Sequence, residues 1–79
     1  MNKELEKVVR ETEINFMGTY LSFADKALEL NCLDEAGGFL AHYQSMCFES
    51  NYKGKEIDNL NKRYTEIFEK YKTIKYEEE

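Results

Sequence analysis

IDNLNKRYTEIFEKYKTI, residues 57–74, is the stretch on which the reading of the fold turns. Its apolar and aromatic positions are Ile57, Leu60, Tyr64, Ile67, Tyr71 and Ile74. The steps alternate three and four, which puts all six on one side of an α-helix. Lys55, Asp58, Lys62, Glu69 and Lys72 lie opposite. Asp58–Lys62 and Glu66–Lys70 are acid-before-base pairs four apart, each adding a few tenths of a kcal/mol at most. A helix this one-sided must dock against something. It is expected to run from Lys55 to Tyr76, with Glu77, Glu78 and Glu79 as a frayed acidic tail, unfavourable at a helix C-terminus.

Working outward, Ser50-Asn51-Tyr52-Lys53-Gly54 reads as a turn, because Asn and Gly tolerate positive φ. Before it, a helix is expected over Cys32–Glu49. Its inner row is Leu33, Ala36, Leu40, Tyr43 and Cys47, and its outer face is Glu35, His42, Ser45 and Glu49. Phe39 and Met46 lie on one flank and Phe48 on the other. Gly37-Gly38 weakens the first turns and suggests close approach of another backbone, with a hinge as the alternative. Asn31 either ends the preceding helix or caps this one.

Residues 3–30 carry two stripes. One is Leu5, Val9, Thr12, Phe16, Tyr20, Phe23, Ala27 and Leu30. The other is Ile14, Met17, Leu21, Ala24 and Leu28, about 110° further round. Two apolar stripes imply two neighbours, as in a three-helix bundle. No charge occurs between Ile14 and Ala24. Gly18 marks a kink, a close crossing or simply a tolerated glycine, costing about 1 kcal/mol relative to Ala.

These readings give an all-α fold, an antiparallel three-helix bundle with a long first helix. That helix is either continuous or broken near residues 13–18 into a fourth short helix. Residues 1–79 form one domain. A second helix of about 18 residues covers roughly 27 Å, enough to reach back only to about residue 13. Residues 1–12 are thus left as an arm. The arm either projects, offering Leu5, Val8 and Val9, or folds back.

Composition narrows the function classes. Apolar content is 42% and charged content 34%, so the chain folds rather than staying disordered. Net charge is −5, which argues against direct binding of nucleic acid and admits a basic partner. No apolar run nears ~18 residues, so no membrane span is expected. The first residues lack the order of an export leader, so a reducing cytoplasm with free Cys32 and Cys47 is expected. Lys-, Asn-, Tyr-, Ile- and Glu-rich composition suggests an AT-rich bacterial, phage or mobile-element source. There is no internal repeat.

Chemistry finds little footing. His42 is the sole histidine, and Cys47 lies five positions on, about 140° round the helix. A cysteine–histidine nucleophile needs both within hydrogen-bond reach. Two cysteines 15 apart do not match a zinc site, and roughly 22 Å of helical rise keeps them from bridging. No cofactor, metal or catalytic residue is expected, and no enzyme. Eleven aromatic residues are more than so thin a bundle can bury. Together with the arm, Phe39, Met46, Phe48 and Tyr52 are the candidate protein contacts, since aromatics and Met enrich interface centres.

The expectation is a small acidic protein-binding module, an inhibitor, adaptor or regulator that docks on a larger host or cognate protein. The alternatives are a homodimer joined through the first helix and an acidic mimic competing for a nucleic-acid-binding protein. Lys3, Lys7 and Arg10 interrupt the acidic residues that a mimic would use.

Overall fold

The computed structural model describes residues 2–78. Three helices follow in order: α1 Lys3–Glu29, α2 Leu33–Ser50 and α3 Lys55–Glu78. α1 is continuous through Gly18, so there is no break at residues 13–18 and, among the described residues, no fourth helix. A Cβ on Gly18 would meet Leu60 at 3.6 Å, which is ordinary contact, so the glycine marks no kink and no forced crossing.

Each end has an identifiable cause. Asn2 caps α1, its side chain accepting the amides of Glu4 at 2.7 Å and Leu5 at 3.3 Å. Asn31 ends α1 in the left-handed region, φ 58°. The Cys32 amide donates to the Ala27 carbonyl at 2.8 Å, and the Asn31 amide to that of Leu28 at 3.1 Å. That paired closure is the Schellman stop. Asn31 is therefore the terminator of α1 and not the cap of α2; Cys32 takes that position without a side-chain bond. Asn51, φ 53°, ends α2, and Gly54 at φ 132° opens α3. α3 continues past Tyr76 to Glu78, so the tail does not fray at Glu77; Glu79 lies outside the described residues. Lys72 lies 5.2 Å from the Phe68 ring centre and Lys75 5.8 Å from that of Tyr71, and Lys75 stands in the last turn, where the helix dipole favours a cation.

The core consists of Met17, Leu21, Ala24, Ala27 and Leu28 from α1, Ala36, Leu40 and Tyr43 from α2, and Ile57, Leu60 and Ile67 from α3. Tyr64, Tyr71 and Ile74 pack against it, completing the row read from residues 57–74. Tyr43 is the largest fully buried side chain, and its hydroxyl donates to Asn61 Oδ1 at 2.7 Å. A ladder of rings, Tyr43, Tyr64, Phe68 and Tyr71, joins α2 to α3 with centroids 5.2, 5.6 and 6.2 Å apart. Tyr71 ends it over Gly37, so what approaches that glycine is a phenol ring, not a backbone. The expected Glu66–Lys70 pair does not form; Lys70 lies 3.8 Å from Asp25 of α1.

One expectation fails in an informative way. α1's two stripes do not serve its two neighbours. α3 lies along Gly18, Ser22 and Asp25: Leu60 is nearest Gly18, Arg63 donates to Ser22 Oγ at 3.2 Å, and Lys70 pairs with Asp25. Viewed end-on, three packed cylinders form a triangle with corners of about 60°. Stripes about 110° apart overshoot that angle, so only the second faces inward. Much of the first remains on the surface.

Candidate protein-binding surface

The outer face of α1 is the main apolar surface of the molecule. Leu5 is 52% exposed, Phe16 54%, Phe23 48% and Leu30 64%. Val8 and Val9 are exposed beside Leu5. Tyr20 and Ala27 alone of the stripe's large or core-facing members are covered, because α2 passes along that edge. Here Phe39 meets Phe23 and Tyr20, with ring centres 5.4 and 6.3 Å apart, and His42 lies over Tyr20 at 4.6 Å. The middle of the face is uncharged from Asn15 to Phe23. The Thr19 hydroxyl on this face is turned back on its own helix, donating to the Asn15 carbonyl at 2.9 Å.

The candidates read from sequence do not form one patch. Leu5, Val8 and Val9 project on the capped first turns of α1. Val9 and Tyr52 share a small recess with Glu6 and Arg10, and Tyr52 with Met46 another, beside Glu13 and Ser50. Tyr52 and Met46 are half-buried and serve to seat the loop. Phe39 is half-buried within the ring cluster on the α1–α2 seam. Phe48 stands alone, 89% exposed, on the lip of an open α2–α3 cleft of about 760 Å³ lined by Tyr43, Cys47, Asn61 and Tyr64. Periodicity places Phe16, Phe23 and Leu30 on a stripe that implies a neighbouring helix, but the structure leaves them exposed. The small and polar row Gly18, Ser22 and Asp25 was the signal that α3 lies elsewhere.

Arg10 marks where the projecting part of α1 begins. Its guanidinium pairs with Glu56 at 3.2 Å, donates to the Lys53 carbonyl at 3.1 Å and sits 5.6 Å from the Tyr52 ring centre. Residues 3–9 lie beyond this tie and are all exposed.

Three phenols, Tyr43 and Tyr64 in the cleft and Tyr52 in the loop, have raised pKa values. Burial raises the Tyr43 pKa well above the usual tyrosine value, and the contact with Cys47 adds to this. Burial and then Cys47 raise Tyr64; desolvation and then Glu13 raise Tyr52. All three therefore stay neutral donors at physiological pH. His42 is exposed and lies tilted against Tyr20. Cys32 and Cys47 are free thiols. Among the described residues no three of His, Cys, Asp and Glu gather as a metal site, and no helix is long and apolar enough to cross a membrane.

The chain matches no family model, no curated protein and no solved structure.

Proposed function

We propose that this chain is a non-enzymatic protein-interaction module, an adaptor, inhibitor or regulator that works by docking on a larger protein. The observation that carries the reading is the exposed apolar surface left after the bundle has closed. Leu5, Val8, Phe16, Phe23, Leu30 and Phe48 all stay in water on a chain of 79 residues. Scattered exposed apolar residues are ordinary, but an aligned run along one helix marks a contact surface. The charge of −5 suits a partner with a basic rim around the apolar contact. An acidic mimic has less support, since Arg10 is already engaged with Glu56 and Lys3 and Lys7 interleave the nearby acids.

The test is capture of partners from a lysate of the source organism by the tagged chain, quantified by mass spectrometry. A stoichiometric protein lost on Phe48→Asp, or on Phe16→Asp with Phe23→Asp, is the expected result. These positions are exposed, so the variants keep their helices. Recovery of no stoichiometric protein, foreign or self, overturns the reading.

A further inference from the structure

The exposed face of α1 has a finer pattern than apolarity. Val9, Phe16, Phe23 and Leu30 recur seven apart, and so do Leu5, Thr12, Thr19 and Lys26. These two series interleave by threes and fours, the seam of a two-stranded helical coil. Within the bundle the seam is left largely uncovered: Leu5, Phe16 and Leu30 face water, and Phe23 stays half exposed with one side against Phe39. The hydroxyl at the centre of the seam is ready for burial, because Thr19 bonds a carbonyl of its own helix.

The side-chain sizes decide what fits. Two copies laid parallel would set Phe16 on Phe16, Thr19 on Thr19 and, worse, Lys26 on Lys26, a like-charge contact. Laid antiparallel, Phe16 meets Thr19 and Phe23 meets Thr12, so each ring enters the space above a small residue. Leu5 then meets Leu30. Lys26 lies on Val9, whose neighbours three before and four after are Glu6 and Glu13. The Lys26 stem covers the valine while its ammonium reaches those carboxylates. In the single chain Lys26 only touches exposed Glu29, at 3.1 Å, and is free to change partners. No foreign sequence is needed to explain this arrangement, because the seam complements itself.

The area is sufficient. Leu5 to Leu30 spans roughly 38 Å, and half the circumference of a helix about 11 Å across gives roughly 650 Å² per copy. Roughly 1,300 Å² in all falls within the size range of specific interfaces.

We infer that α1 pairs with α1 of a second copy, antiparallel, about a two-fold axis level with Met17 and Gly18. This rests on the interaction reading above, and assigns one of its two surfaces. Phe48 and the α2–α3 cleft, on another side of the bundle, stay open to a different protein.

Sedimentation equilibrium of the full chain at high micromolar concentration tests it. The expected mass is twice 9.4 kDa, falling to one copy in Phe16→Asp and in Phe23→Asp with helical circular dichroism unchanged. Lys26→Glu should weaken association about tenfold by facing Glu6 and Glu13, and Glu6→Lys with Glu13→Lys in the same chain should restore it. A wild-type monomer, a dimer indifferent to both phenylalanine changes, or failure of the charge reversal to rescue, overturns the proposal. A monomer that still captures a foreign protein removes this inference alone and leaves the interaction reading standing.

Discussion

Gly37 and Gly38 are neighbours in one helix with different surroundings. A Cβ on Gly38 would have nothing within 4 Å, whereas one on Gly37 would lie 2.8 Å from Tyr71 Oη and 3.2 Å from its Cζ. Replacing an interior helical glycine by alanine stabilises by about 1 kcal/mol where the space is free. Gly38→Ala should therefore raise the unfolding free energy by about 0.5–1 kcal/mol, and Gly18→Ala, with only ordinary contacts, by as much. Gly37→Ala should gain nothing or lose up to about 1 kcal/mol, because Tyr71 must swing away from the ring ladder. Urea unfolding of the three variants checks this, and an equal gain at all three sites would show that Tyr71 does not rest on Gly37. The pair is visible in the sequence but its asymmetry is not, since nothing local says which glycine lies beneath a phenol 34 positions on.

At the level of elements, legibility followed distance along the chain. The three helices and the turn at Ser50–Gly54 could be read because periodicity and Asn/Gly punctuation are local. The inward row of α3 could be read because α3 has only one apolar side. α1 has two, and local pattern cannot say which of them is spare; that depends on the triangle in which α2 and α3 sit. The same dependence governs how firmly α1 is held. Arg10 joins its first third to the α2–α3 connection through Glu56, the Lys53 carbonyl and the Tyr52 ring. The ion pair is largely exposed, 36% and 63% at its two side chains, so its Coulombic share is small and the carbonyl and ring contacts matter as much. Arg10→Ala should cost no more than about 1 kcal/mol of global stability. It should also speed amide exchange in residues 4–13 while leaving Leu21 to Leu28 unaffected, because fraying is a local opening. Uniform acceleration along α1 would mean that Arg10 contributes to the whole fold instead of tying down one end.

For the whole molecule, the controlling fact is its shape, 51 × 18 × 17 Å. α2 is the shortest of the three helices, so the others overrun it: α1 beyond Arg10 at one end, α3 beyond Tyr71 at the other. A rod this thin has little interior, and a 79-residue chain has a slim stability margin even when well packed. Burial of the α1 face against a second copy would add to that margin by mass action, since only the folded state can pair. Melting temperature should then rise with protein concentration in the wild type. Phe16→Asp should abolish the dependence and should melt, at every concentration, near the dilute wild-type value, because Phe16 contributes little to its own bundle while 54% exposed. Removing residues 1–8 should reduce the dependence without lowering the dilute melting temperature, since those described, Asn2 to Val8, are exposed and pack on nothing buried. Scanning calorimetry over a hundredfold concentration series separates the cases. A melting temperature independent of concentration in the wild type would mean that the exposed face of α1 contributes nothing to folding stability through self-association, and that what covers it must come from another protein.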